Sequence, residues 1–183
     1  DHVTKIELAL DKDNNFLAFR TETMANVGAY LSNFSTVTPT ILHGTLMAGN
    51  YAVPNVYVNV KTVFTNTAPV DAYRGAGRPE ATYSLERVID KAATELGLDP
   101  TNLRRQNFIK SDQFPYVTAA GLNYDVGDYD AVMDRLEHHA DLKGFAKRRK
   151  KSEAKGKLRG LGINSYIEAC GIAPSNLIGT LGA

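Results

Sequence analysis

The sequence predicts a mixed α/β (α+β) fold in which strands come early, helices occupy the middle and a strand comes late. Two kinds of periodicity carry this prediction. Apolar residues alternate at period two in the early part of the chain, and they recur at helical spacing after residue 79. The 183 residues are 43% hydrophobic and 22% charged, which is typical of a globular domain and excludes a collagen-like, disulfide-rich or wholly disordered chain.

The early strands are expected to begin with a hairpin. Ile6, Leu8 and Leu10 alternate with polar or small residues, which is the pattern of a half-buried strand. The Asp/Asn run at residues 11–15 favours a turn, because these residue types tolerate a left-handed backbone. Residues 16–23 are therefore predicted to be the returning strand.

Two further strands are predicted beyond this hairpin. Residues 26–39 are interrupted by Gly, Ser, Asn and Pro, which indicates a loop. Valines then alternate over residues 56–64, with Pro54 at the entry, and this is the clearest strand pattern in the chain. A late strand is expected over residues 159–168.

Helices are predicted in the middle of the chain. Residues 79–96 have apolar side chains at helical spacing, with Pro79 suited to the first turn and Gly97 to the C-terminal cap. The pair Asp99-Pro100 predicts the start of a short helix that continues to Asn107. The inward face of the first helix is expected to comprise Ala81, Leu85, Val88, Ile89, Ala92, Ala93 and Leu96.

A third helix is expected after Asp128, and a basic segment follows it. Residues 143–159 carry nine basic residues and one acidic residue, a local charge of +8 in a chain whose net charge is only +1. Such a run is compatible with nucleic acid or acidic lipid, but residues 147–157 contain no aromatic side chain for base stacking, which favours a solvated surface segment. The inward residues of the third helix are expected to be Val132, Met133 and Leu136.

The loop at residues 72–80, which reads AYRGAGRPE, is the strongest candidate for a binding site. Its two glycines allow the backbone to approach a ligand closely, Arg74 and Arg78 are permanent cations, and a predicted helix begins directly after them. These features together indicate a site for an anionic ligand or cofactor. A plain strand-to-helix turn with solvated arginines is the alternative interpretation.

The histidines and the single cysteine are weaker candidates. His138 and His139 are adjacent on a predicted helix and point in different directions, so structural or surface roles are expected for them, as for His2 and His43. Cys170 is the only cysteine, which excludes an internal disulfide and a cysteine-cluster metal site and favours a reducing, cytoplasmic setting. A buried small apolar role is favoured for it over a nucleophilic one. No protein-ligated metal and no apolar stretch of about 20 residues that could span a membrane are expected.

Residues 65–109, together with flanking pieces at 114–116, 124–128 and 166–171, resemble the large subunit of the molybdenum hydroxylases. This family includes xanthine dehydrogenase, aldehyde oxidase and aerobic carbon monoxide dehydrogenase. The loop sequence AYRGAGR is similar to that of the carbon monoxide dehydrogenase-like group.

The resemblance implies a fragment of a longer bacterial chain that binds molybdenum-molybdopterin, which in bacterial members is often in its cytosine dinucleotide form. It implies an iron–sulfur small subunit, an FAD medium subunit and a dimer of such heterotrimers as partners, with a small-molecule substrate and water as the oxygen source. Residues 1–140 would belong to the first molybdopterin-binding domain, 141–158 to a basic connection, and 159–183 to the start of the second such domain. The base glutamate of the family would lie outside these residues.

The resemblance also assigns roles to the loop. Arg74 would lie beside the molybdenum centre as the catalytic residue, and Ala76 would contact substrate. Because Gly75 stands where carbon monoxide dehydrogenases carry a copper-binding cysteine, carbon monoxide oxidation is disfavoured, and the absence of a phenylalanine at Ala76 disfavours purines. An aldehyde, another small carbonyl compound or an N-heterocycle remains. The cofactor-binding residues implied are Tyr73, Arg74, Gly75, Ala76, Gly77 and Arg78.

A non-catalytic module that binds anions or nucleic acid is the competing hypothesis. It would use Arg74, Arg78 and the basic residues 147–151.

Overall fold

The predicted hairpin forms one side of a three-stranded sheet in the computed structural model, which describes residues 1–168. The first two strands are antiparallel, and the turn between them is held by Asp11, whose carboxylate accepts hydrogen bonds from the amides of Asp13 and Asn15 at 2.8 Å each. Asn14 takes the left-handed backbone that the Asp/Asn run predicts, with φ +67°. The strands of this sheet are β1 (His2–Leu10), β2 (Phe16–Gly28) and β3 (Asn55–Phe64).

Strands β2 and β3 are parallel, so the chain must cross over between them. β2 is longer than predicted and runs into the expected loop, because Asn26 still pairs with Val63 of β3. The crossover contains a π-helical turn at Thr38–Leu42.

The middle of the chain is helical as predicted. The first helix has Pro79 in its first turn and Gly97 as its left-handed C-cap, and the Asp99 side chain caps the second helix through the amides of Thr101 and Asn102. Asp128 caps the third through Ala131. The helices are α1 (Arg78–Leu96), α2 (Pro100–Asn107), α3 (Tyr129–Ala140) and α4 (Phe145–Glu153), with a small hairpin of β4 (Tyr116–Val117) and β5 (Asn123–Tyr124) before α3.

The core lies between one face of the sheet and α1. Phe16 and Phe19 of β2 are buried with Leu85 and Ile89 of α1, and each such burial contributes roughly 1.5–3 kcal/mol. The opposite face of the sheet is exposed, as at Met24. The alternation read from β1 is thus confirmed, and α1 is fixed on the sheet by its predicted apolar face, apart from Leu96, which is exposed.

The predicted inward face of α3 was only partly right. Met133 is buried, but Val132 and Leu136 are 65% and 42% exposed. The polar face of the helix turns toward α2 instead, because Arg105 donates hydrogen bonds to Asp134 at 2.6 Å and to Glu137 at 3.0 Å.

The late strand predicted at 159–168 was wrong, since these residues form no regular element. Their backbone groups bond to side chains rather than to another strand: the Ser165 amide donates to the Glu86 carboxylate, and the Ile163 carbonyl accepts from Arg104. Cys170 lies outside the described residues.

The basic segment forms α4, none of whose residues is buried. Arg148 pairs with Asp141 and Arg149 with Glu153, so part of the charge is neutralised locally. Within residues 1–168, no helix is both long and apolar enough to cross a bilayer.

Candidate functional site

The loop before α1 is built from two tight turns. Ala76 donates its amide hydrogen to the Tyr73 carbonyl at 2.8 Å, and Arg78 donates to the Gly75 carbonyl at 2.9 Å. Gly75 and Gly77 have φ values of +84° and +83°, a region that residues with a Cβ atom rarely adopt. The loop conformation therefore depends on glycine at both positions.

Gly77 is also required by its neighbours. A Cβ atom there would lie 2.6 Å from Leu42 Cβ and 2.7 Å from the Thr38 carbonyl oxygen, so the π-helical turn packs directly against the loop backbone. A Cβ atom at Gly75, in contrast, would meet only Pro79, at 3.7 Å. The loop is thus closed on the side of the π-helical turn and open at Gly75.

A cleft of about 990 Å³ lies between this loop, the first turns of α1 and the start of β1. Arg74 lines it, is exposed, and makes no hydrogen bond or ion pair within residues 1–168. Arg87, two turns into α1, lines the same cleft and is also unpaired within the described part of the chain. Side chains that line the cleft include those of Tyr73, Arg74, Ala76, Glu80, Tyr83 and Arg87.

The six residues assigned to the loop site fall into three groups. Tyr73, Arg74 and Ala76 line the cleft, whereas the two glycines shape its backbone. Arg78 faces the other way: its Nε lies 3.7 Å from Glu168 Oε1, and its Nη1 donates to the Ala76 carbonyl at 3.2 Å. The structure thus places one of the two predicted cations in the cleft and the other behind the loop.

Sequence reasoning missed the contribution of α1. Tyr83 and Arg87 are four residues apart, so they lie on the same face of the helix, and both border the cleft. Their spacing from Pro79, at the known helix start, was the signal that could have identified them.

Several polar atoms are buried in and next to the lining of the cleft. His43 is fully buried, and its ring lies 5.8 Å from that of His2. Among residues 1–168, neither ring nitrogen of His43 has a hydrogen-bond partner, and the same holds for Thr38 Oγ1 and Glu80 Oε2. Burial, reinforced by His2, lowers the pKa of His43 to about 4, although the Glu80 carboxylate acts in the opposite direction. His43 is therefore a neutral base at physiological pH.

Residues 1–168 contain no group of three His, Cys, Asp or Glu side chains arranged to hold a metal ion. His138 and His139 are exposed at the end of α3. The cleft instead offers the unpaired guanidinium groups of Arg74 and Arg87 and the aromatic rings of Tyr73 and Tyr83, with the carboxylates of Asp71 and Glu80 also in its lining. This set suits an anionic ligand with a planar part.

The sequence profile of the molybdopterin cofactor-binding domain matches residues 1–108, which include the whole loop and α1. The carbon monoxide dehydrogenase large chain of Hydrogenophaga pseudoflava is 35% identical over 96% of this chain and 22% of its own length. Subunit gamma of the 6-hydroxypseudooxynicotine dehydrogenase complex of Paenarthrobacter nicotinovorans is 31% identical over 93% of this chain and 22% of its own.

Solved structures give the same result. Quinoline 2-oxidoreductase from Pseudomonas putida 86 has a TM-score of 0.78 at 30% identity, over 85% of this chain and 20% of that protein. The reconstituted CO dehydrogenase from Oligotropha carboxidovorans has a TM-score of 0.70 at 32% identity, over 85% of this chain and 19% of that protein. The chain thus spans about a fifth of the length of the proteins it resembles.

Proposed function

This chain belongs to the molybdopterin cofactor-binding domain family, and from that premise we propose that it is part of the catalytic large subunit of a molybdenum hydroxylase. The observation that carries the proposal is the unpaired Arg74 in a cleft beside a loop that needs two glycines. The profile match covers this loop. We assign residues 1–140 to the first cofactor-binding domain, 141–158 to the connection and 159–183 to the start of the second.

The residues present fit a molybdenum-molybdopterin cofactor, which is anionic. Arg74 offers five donors that no group within residues 1–168 occupies, and the open side of Gly75 lets the main chain approach a bulky group. Tyr73 is 89% exposed and borders the same cleft, where it is available for contact with a planar ring. When bound, the cofactor supplies two-electron oxidation of the substrate, with water as the source of the oxygen atom.

The chain's own residues position the cofactor and the substrate and stabilise the transition state. Arg74 places a permanent positive charge at the reacting centre, which lowers the free energy of a transition state in which negative charge grows. Gly75, Ala76 and Gly77 bring the main chain close to the bound group, and Arg78 braces the loop by donating to the Ala76 carbonyl. Ala76 has the smallest side chain that keeps a Cβ atom, so it leaves the substrate room in the cleft.

The proposed substrate is an aldehyde, another small carbonyl compound or an N-heterocycle. Two relatives, by their names, act on a quinoline and on a 6-hydroxypseudooxynicotine, which supports the heterocycle class. Carbon monoxide is not proposed, because Gly75 has no side chain with which to bind copper.

The partners we propose are an iron–sulfur small subunit and an FAD medium subunit, in a dimer of heterotrimers located in the cytoplasm. The relatives' descriptions as a large chain and as a subunit of a complex support a multi-subunit assembly. The cytosine dinucleotide form of the cofactor is part of the same proposal.

The nucleic-acid alternative has less support. It needs the basic helix α4 and the loop arginines together, but Arg148 and Arg149 are already paired with acidic neighbours and Arg78 faces Glu168. Only Arg74 of the four remains unpaired within the described residues. We therefore do not assign a nucleic-acid partner.

Metal analysis of the full-length complex tests the proposed function. Protein from a host that makes the cofactor should contain about one molybdenum per large subunit, and protein from a cofactor-deficient host should contain none. A correctly assembled complex that lacks molybdenum, although its host makes the cofactor, would refute the proposal. Steep salt-dependent binding to a phosphate polymer by such a complex would favour the alternative.

A further inference from the structure

The interface of α1 with α2 contains a buried ionic centre. Arg104 is fully buried, and its Nε donates to Glu86 Oε2 at 2.8 Å while its Nη2 donates to Asp90 Oδ1 at 2.8 Å. Tyr51 donates its hydroxyl hydrogen to Glu86 Oε1 at 2.6 Å. Nη2 of Arg104 also reaches the Ile163 carbonyl at 3.4 Å. This centre therefore extends from the helices to the last described part of the chain.

Residues 163–168, hereafter the strap, are held by that centre. The Ser165 amide donates to Glu86 Oε2 at 2.9 Å, and the Asn50 side-chain amide donates to Ser165 Oγ at 2.7 Å. The strap has no secondary structure of its own, so these bonds determine its path. A main-chain amide bound to a buried carboxylate is a strong, charge-assisted contact, and it makes this end of the strap a rigid anchor.

The other end of the strap reaches the loop. Glu168 Oε1 lies 3.7 Å from Arg78 Nε, and the two side chains are 31% and 14% exposed. Arg78 Nε has no hydrogen-bond acceptor in the part of the chain that the structure describes, so its attraction to Glu168 at this distance is electrostatic and is strengthened by partial burial. Arg78 in turn donates to the Ala76 carbonyl, in the centre of the loop. A continuous set of contacts thus runs from the buried ionic centre to the loop.

We propose that the strap is a positioning element, in which Glu168 acts through Arg78 to fix the Ala76 carbonyl and so hold the loop in its binding conformation before the cofactor arrives. A loop with two glycines has many accessible conformations in the absence of such a brace. Ordering it in advance removes an entropic cost that cofactor binding would otherwise meet. This inference rests on the proposed function for its purpose, but the brace itself is a property of the protein without cofactor.

Hydrogen–deuterium exchange of the cofactor-free full-length complex tests the brace. Glu168→Gln should accelerate exchange of the amides at residues 75–78 by at least about tenfold, because loop opening becomes easier. Glu95→Gln is the matched control, since it removes an exposed ion pair with Lys91 on the same helix that follows the loop, and it should leave these amides unchanged. Unchanged exchange in Glu168→Gln would overturn the proposal.

Two further exchange measurements distinguish a positioning role of Glu168 from a general destabilisation of the fold. Amides in the middle of α1, at residues 85–93, should keep their wild-type protection in Glu168→Gln, and equal acceleration there would contradict a local role. Arg78→Gln should accelerate exchange at least as much as Glu168→Gln, because it also removes the donor to the Ala76 carbonyl, and the double variant should exchange no faster than Arg78→Gln because Glu168 acts through Arg78. Additive acceleration would overturn the pairing. Since no readout needs molybdenum, failure of the proposed function would leave these results interpretable.

Discussion

Arg104, in α2, and Arg74, in the loop before α1, show two uses of the same side chain. Arg104 is fully buried, and it donates hydrogen bonds to the carboxylates of Glu86 and Asp90 and to the carbonyls of Pro100 and Ile163. Arg74 is exposed in a cleft and has no partner within residues 1–168. An arginine whose three side-chain nitrogens all donate inside the chain stabilises the fold, whereas one whose donors are all free beside a glycine loop is available to a ligand.

The largest effect is expected at the buried member of this comparison. Burial alone would lower the pKa of Arg104, but Glu86, Tyr51 and Asp90 outweigh it and raise that pKa, so the side chain stays charged. Arg104→Met would leave Glu86 buried without its counter-ion and should lower the free energy of unfolding by about 3–5 kcal/mol. Denaturant unfolding of the full-length protein, followed through the transition that includes this domain, would measure it.

Two controls sharpen that result. Adding Glu86→Gln to Arg104→Met should recover part of the lost stability, because the uncompensated charge is removed. Arg149→Met, which breaks an exposed pair with Glu153, should have little measurable effect. If Arg104→Met were as mild as Arg149→Met, the structural interpretation of the buried centre would be wrong.

Sequence patterns predicted the parts of the fold that depend on near neighbours. The turn at Asp11, the cap at Asp99 and the C-cap at Gly97 each satisfy backbone groups within a few residues, and all are confirmed. Contacts that link distant segments left no such pattern. A strand was predicted at 159–168, but Glu86 binds the Ser165 amide and Arg104 binds the Ile163 carbonyl, two backbone groups that a strand partner would have used.

The candidate site divides in the same way. The loop was found from its glycines and arginines because backbone conformation and charge are local properties. The sequence did not indicate which of the two loop arginines faces the cleft. That depends on the contact of Glu168 with Arg78 and on the packing of the π-helical turn against Gly77. The family resemblance supplied the cofactor, and the match to residues 1–108 bears it out.

His43 is intermediate between Arg104 and Arg74: it is fully buried like Arg104, but within residues 1–168 its ring nitrogens have no hydrogen-bond partner. Its pKa is lowered from the ordinary 6.5 to about 4 by burial. As the pH falls below 6.5, the unfolded chain takes up a proton that folded His43 refuses, so the unfolded state gains stability until about pH 4. The protein should therefore lose roughly 3 kcal/mol across this window from this group.

Thermal unfolding of the full-length protein between pH 7 and pH 4 checks this effect. His43→Leu should reduce the loss of stability on acidification, whereas His139→Gln, at an exposed site on α3, should follow the wild type. Indistinguishable pH profiles for His43→Leu and wild type would show that His43 is not held neutral.

The free arginine gives the smallest free-energy change but the most specific one. Arg74→Ala should lower the turnover of the full-length enzyme by about 100-fold, equivalent to about 2.7 kcal/mol in activation free energy, because a fixed donor at the reacting centre is lost. Its thermal midpoint should not change, since Arg74 has no partner among the described residues. Arg74→Lys keeps the charge without the fork of donors, so its turnover should lie between those of the wild type and Arg74→Ala.

Arg135→Ala is the control for loss of charge alone, because it removes an exposed arginine on α3 that is unpaired within residues 1–168, and it should retain wild-type turnover. Normal turnover of Arg74→Ala at normal molybdenum content would contradict the contrast drawn between Arg104 and Arg74, because it would show that the unpaired Arg74 does not act on a ligand.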